Sequence, residues 1–209
     1  MNAIIHLDAG HGTRQYTQGK RSPDGRLFEG EYCRLLVRRL IVSLAELGYD
    51  CREVVPEPHD VPLSERCSRV NRAIRQERQK RHLFLSLHLN AAPPEACNRE
   101  GWSVASGWTV YTARKCSVAS ESLARSLYGV AREFGLGGNR CVPQEGFWRA
   151  DYRVLTATNC PAVLTESLFM TNREEVDWLL SERGMDTLVN LHLLGILSHL
   201  GYPASFIVG

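Results

Sequence analysis

Long apolar runs are missing from this chain, along with several other features that would settle its class at once. No stretch approaches the ~18 consecutive apolar residues of a membrane-spanning helix, so no stable membrane association is expected. The N-terminus has no basic leader followed by an apolar core; it enters a strand-like run almost immediately. That pattern predicts a chain made in the cytoplasm without a signal peptide. The seven cysteines, at 33, 51, 67, 97, 116, 141 and 160, are odd in number and include no CxxC pair. This argues against a zinc knot and against a disulfide framework; they read as reduced, mostly buried small hydrophobes. An excess of one charge is also missing. A formal net charge of +2 gives no reason to expect a nucleic-acid partner, and the basic stretch Arg75–His82 reads as a solvated helix end favoured by the helix dipole. There is no low-complexity tract, linker or internal repeat. With 209 residues, 44% of them hydrophobic, one domain over 1–209 with a substantial core is expected.

What is present is an alternation of strand-like and helical segments. Ile4, Ile5 and Leu7 open a buried strand, and Gly10 and Gly12 then flank His11 in a sharp turn. A helix is expected from Glu29 to about Leu47, with Leu35, Leu36, Leu40, Leu44 and Leu47 on one face and Gly48 as its stop. Strands follow at Tyr49–Val55, Leu83–Leu87, Trp108–Thr112 and Pro161–Thr165, with a strand-like Arg153–Thr156. Further helices are expected from about Ser64 to Arg78, Ser117 to Phe134, Arg173 to Leu180 and Met185 to Leu200. The helix from Ser117 to Phe134 turns Leu123, Leu127, Val130 and Ala131 inward. This predicts a single α/β domain, a mostly parallel twisted sheet of about six strands with helices on both faces.

The chemistry-bearing residues fall at one rim of that layout. His11, His88 and Glu166 each follow a predicted buried strand, and Glu29 begins a helix after the loop that returns from His11. Ligands bind beyond the carboxyl ends of strands in open α/β sheets. Two imidazoles and a glutamate are a known ligand set for zinc with one open position. A second carboxylate is then free to take a proton from the attacking water and hand it to a leaving amine. The spacing is not HExxH, so a helix-borne zincin site is excluded. Asp8 is a candidate to orient a zinc-binding histidine, and Asn90 to do the same or to touch substrate. His6 reads as a core histidine, and His59, His82, His192 and His199 as structural or solvent-facing. Arg66 and Asn71 read as ties between a helix and the sheet.

Five segments together carry a resemblance: Leu7–Gly12, Glu29 with the helix through Leu47-Gly48-Tyr49, Leu63–Arg66 through Asn71, Phe84–Ala91, and Asn159–Asn172. In order and type they resemble the zinc-dependent N-acetylmuramoyl-L-alanine amidases of the autolysin and cell-wall-hydrolase type. The resemblance implies zinc held by His11, Glu29 and His88, with Glu166 as the catalytic carboxylate. It implies hydrolysis of the amide between the muramic acid lactyl group and L-alanine, with peptidoglycan, glycan strand and peptide stem together, as the partner. Glu31 lies close to Glu29, but the distance from Glu29 to the Gly48-Tyr49 corner matches the family's helix. Residues two apart on a helix also diverge, so both cannot face one metal.

Ser167 departs from the family's usual glycine after the last carboxylate. Asn90 to Tyr152 follows no family pattern and holds Trp102, Trp108, Phe147 and Trp148, so substrate preference is expected there. With no signal peptide, the expected role is a phage or prophage endolysin or another lytic enzyme that reaches the wall after release. The alternatives are a non-catalytic wall-binding module and a zinc peptidase acting on stem peptides.

Overall fold

Neighbouring residues along the central strands carry opposite chemistry, and this alternation organises the molecule. The computed structural model describes residues 2–202. Its strands are β1 (Ala3–Ala9), β2 (Asp50–Glu53), β3 (Arg81–Asn90), β4 (Thr109–Thr112), β5 (Trp148–Arg149) and β6 (Ala162–Phe169). They form one sheet in the order β2-β1-β3-β6-β4-β5. Every adjacent pair is parallel except β6 with β4. The helices are α1 (Glu29–Glu46), α2 (Leu63–Gln76), α3 (Val118–Glu133), α4 (Arg153–Thr156), α5 (Arg173–Leu179) and α6 (Glu182–His199).

One face of the sheet is apolar. Ile5, Leu7, Leu85, Leu87 and Val163 pack there with Leu36 and Leu40 of α1, Leu127 of α3 and Leu188 of α6. On the other face Phe84, Ala162 and Leu164 pack with Val70 of α2 and Val154 and Leu155 of α4. The parallel sheet is thus covered on both sides. Among the described residues no helix is long and apolar enough to cross a membrane, and all seven cysteines are free thiols.

Three local expectations need correction. Residues 153–156 are a helical turn, not a strand: Val154 and Leu155 are adjacent and both buried, whereas a strand would send one of them outward. The edge strand is instead Trp148–Arg149, because β6 already has β3 and β4 on its two sides. His88 and Glu166 lie within their strands and not just past them. Leu89, Leu168 and Phe169 are also buried, so the strands continue; the register slips between His88 and Asn90, and Leu168 takes a φ of 72°. Such irregularities re-aim side chains. On α1, Leu35 and Leu47 are exposed while Leu36, Leu40 and Leu44 are buried, so the helix buries a narrower stripe than its leucines suggest.

Helix ends fix where the site residues stand. α1 begins at Phe28 without a side-chain cap, and the Glu29 amide donates to the Lys20 carbonyl at 3.0 Å. Glu29 and Glu31 in its first turn complement the positive end of the helix dipole. Gly48, at φ 81°, ends the helix in the left-handed conformation that favours glycine.

Candidate active site

β1 ends at Ala9, and the chain turns through Gly10 and His11 with His11 at φ 58°, a region non-glycine residues seldom occupy. The turn is clamped from α1. Buried Arg34 donates from Nη1 to the carbonyls of His11 at 2.7 Å and Gly30 at 2.8 Å, and its Nε and Nη2 reach the Glu57 carbonyl. Two glycines make the approach possible. A Cβ on Gly30 would lie 1.8 Å from the Gly12 carbonyl oxygen, and one on Gly10 would lie 2.4 Å from the His88 ring.

His11, Glu29 and His88 converge, with one donor atom from each inside 4.8 Å of the others. His88 Nδ1 lies 3.0 Å from Glu29 Oε1, and His11 Nε2 lies 3.6 Å from Glu29 Oε2. The imidazoles stand edge to face with centroids 5.2 Å apart. The Leu89 amide donates to Glu29 Oε1 at 3.1 Å, while the buried Oε2 has no hydrogen-bond partner among the described residues. An unsatisfied carboxylate oxygen facing two imidazoles is a donor set suited to a divalent metal. Burial pushes the Glu29 pKa up, but the His88 hydrogen bond and the two imidazole charges outweigh it and hold the group below its ordinary range. For His88 the desolvation that lowers its pKa is overcome by Glu29, so the pKa is raised. His11 is lowered, chiefly by burial. Glu31 faces elsewhere, gripped by Arg14 at 2.7 Å on both oxygens.

Glu166 is the Cα partner of His88 across β3 and β6. Its Oε2 is buried with no hydrogen-bond partner among the described residues. Burial raises its pKa to about 7; the charge of His88 lowers it and that of Glu29 raises it. A carboxyl group tuned near neutrality beside a metal-type cluster has the properties of a general acid–base.

Among the described residues Asp8 makes no hydrogen bond to either histidine, although its charge is among those that raise the His88 pKa. Its oxygens accept from Arg66 at 2.9 Å and Ser86 at 2.6 Å. Besides Glu29, the carboxylate near His11 is Asp60, 3.8 Å from Nδ1 and held at 2.7 Å by Arg66. Sequence reading missed Asp60 and Arg34. Asp60 sits in a proline-bounded loop with no periodicity, and only the position of Arg66 on α2 brings it to the turn.

Asn90 Oδ1 accepts from the Ala91 amide, and its buried Nδ2 is unbonded among the described residues. Arg66 and Asn71 do tie α2 to its surroundings, Arg66 to Asp8 and the Ala9 carbonyl and Asn71 to the Ala157 carbonyl and the Asn159 amide. His6 is buried against His82 at 3.0 Å, and His192 bonds Thr165 and the Leu188 carbonyl. His82, placed at a helix end by the sequence, is the second residue of β3 and buried. Of the four aromatics, Trp108 and Phe147 are fully buried and Trp102 nearly so; Trp148 is half-exposed.

Fold and site together define a class: an α/β protein with a metal-type imidazole–carboxylate cluster and a neutral-range acid beside it. The N-acetylmuramoyl-L-alanine amidase family matches residues 5–198, and the chain belongs to that family. It is 26% identical over 204 residues to an endolysin of Bacillus phage SPP1, covering 94% of this chain and 65% of that protein. The chain thus spans less than two thirds of that relative's length. Its fold matches the N-acetylmuramoyl-L-alanine amidase of Clostridium difficile 630 with a TM-score of 0.76 at 22% identity, covering 96% of this chain and 98% of the other. It also matches the catalytic domain of the amidase CwlV from Bacillus (Paenibacillus) polymyxa, at 0.75 and 19%, covering 96% and 99%.

Proposed function

We propose that this protein is a zinc-dependent amidase that hydrolyses the bond between the muramic acid lactyl group and L-alanine in peptidoglycan. The observation that carries the reading is the pairing of the His11–Glu29–His88 cluster with buried Glu166, whose pKa is about 7. His11, Glu29 and His88 would hold the zinc; Oε2 of Glu29 is free to bind it, and the absence of a side chain at Gly10 lets the His88 ring come in. When bound, zinc supplies Lewis-acid polarisation of the amide carbonyl and makes the attacking water more acidic.

The remaining steps belong to the chain itself. Glu166, as carboxylate, accepts the water proton and delivers it to the L-alanine nitrogen as the C–N bond breaks. Its burial keeps the proton affinity high enough for both halves of that transfer. The unbonded Asn90 Nδ2 is a donor for a substrate carbonyl. The likeness to a phage endolysin supports a lytic role at the cell wall.

Digestion of purified wall tests this directly. New L-alanine amino groups and new reducing sugar ends are followed separately, with and without chelator, and with Glu166→Ala. L-alanine amines without reducing ends, abolished by chelator and by the substitution, are expected. Amines of other stem residues would indicate a zinc peptidase. Wall binding without any release would leave only a binding module.

A further inference from the structure

The loop after α3 is pinned, and it delivers a cation to the site. Asn139 Nδ2 donates to the Val104 carbonyl at 2.7 Å, and Asn139 Oδ1 accepts from the Ser106 amide at 3.0 Å. Gly138 and Gly107 meet backbone to backbone; a Cβ on Gly138 would lie 2.1 Å from the Ser106 carbonyl oxygen. Arg140 follows at once. Its guanidinium carbon stands 5.6 Å from the centroids of both Trp148 and Phe169. It is half-buried and has no carboxylate partner among the described residues. Its charge nevertheless reaches Glu166 and Tyr152.

The rings below it extend the active-site face. Trp148 pairs with Tyr111, and Tyr111 with Leu164, two residues before Glu166 on β6. Cα partners and alternate strand residues share a face, so these rings lie on the side that carries His88 and Glu166. Tyr111 meets Trp148 at 5.9 Å and exposed Tyr152 at 5.6 Å. An aromatic shelf thus runs from the acid to the edge strand, with the Arg140 guanidinium over its Trp148 end.

We infer that Arg140, with Trp148, Tyr111 and Tyr152, forms a subsite for a free carboxylate on the peptide stem next to the scissile L-alanine. The inference rests on the amidase reading above. Amino sugars with acylated nitrogens are neutral, and the lactyl carboxyl is consumed in the amide, so the negative charge of the substrate lies on the stem. A guanidinium held over ring faces at cation–π distance keeps its N–H groups free for a planar carboxylate, which it can grip with two bonds. A half-buried cation without a counter-charge is also poised to gain from receiving one.

Two soluble muramoyl dipeptides test it: one whose residue after L-alanine bears a free carboxylate, and its carboxamide. kcat and KM are measured for the unchanged protein, Arg140→Gln and Arg140→Lys. The unchanged protein is expected to prefer the acid by about tenfold in kcat/KM, mostly through KM. Arg140→Gln brings the acid down to the level of the amide, and Arg140→Lys recovers part of the preference. Equal cleavage of acid and amide by the unchanged protein, or equal loss on both in Arg140→Gln, overturns the subsite and leaves the amidase reading standing. If the protein digests whole wall but cleaves neither dipeptide, their potencies as inhibitors of wall digestion give the same comparison. Failure to release L-alanine amines from any substrate removes the amidase reading and this subsite with it.

Discussion

The two faces of the sheet are made by the same strands and do opposite work. On the α1–α3–α6 side, β1, β3 and β6 present Ile5, Leu7, Leu83, Leu85, Leu87 and Val163, an almost unbroken apolar layer. On the α2 side, the intervening positions are His6, Asp8, Ser86, His88 and Glu166 among a smaller apolar set. One face stabilises by removing area from water, at ~25 cal/mol per Å². The other retains polar groups whose partners are incomplete, a local cost in stability that functional sites commonly carry. A residue's parity along its strand therefore decides whether replacing it harms folding or chemistry.

Substitutions on each face test this division. The largest effect is expected at Glu166. Glu166→Gln should lower the rate of L-alanine amine release by about 10²–10⁴-fold while the fold persists. In metal-free protein the same change should raise the melting temperature at pH 8. Burial keeps the proton on folded Glu166 up to about 7, whereas the unfolded chain releases it in the ordinary carboxylate range. The folded state thus binds the extra proton between those values and loses stability from this group as pH rises toward 7. The glutamine escapes that loss, so its advantage should shrink toward pH 5; a flat difference between pH 5 and 8 would contradict the assignment.

Leu85, fully buried on the opposite face, should behave in reverse. Leu85→Ala is expected to cost about 2–5 kcal/mol in denaturant unfolding, with kcat of the folded fraction unchanged. A catalytic loss there without a stability loss would blur the distinction between faces.

Asp60 offers a finer test, since it approaches the polar cluster from outside the sheet. Asp60→Asn should weaken zinc affinity by about 10–100-fold in chelator competition, and an unchanged affinity would leave Asp60 only its ion pair with Arg66. The smallest effect is expected off both faces: Leu35→Ser, at an exposed position of α1, should shift unfolding by no more than ~0.5 kcal/mol.

Much of this was legible in the chain. Runs such as Leu83–Leu87, short and bounded by polar residues, fit buried strands, and the helical spacing of Leu36, Leu40 and Leu44 fits α1. The glycines around His11 announced a turn that must bring backbone close to something. Local sequence determined these features because periodicity and glycine content are local physics. It also pointed to His11, Glu29, His88 and Glu166 as neighbours, since a parallel sheet brings equivalent parts of its strands together, but not to the placing of His88 and Glu166 inside their strands.

Tertiary structure alone decided the rest. Arg153–Thr156 had strand-like residues but no sheet edge to join, so it became a turn of helix. Asp8 looked placed to support a histidine, yet its oxygens are taken by Arg66 and Ser86, and it is Asp60 that approaches the Nδ1 side of His11. Arg140 lies on a stretch without periodicity; it meets Trp148 and Phe169 only because Gly138 and Gly107 can touch. Which polar group meets which across long sequence separations depends on packing geometry, and no short window of sequence contains that geometry.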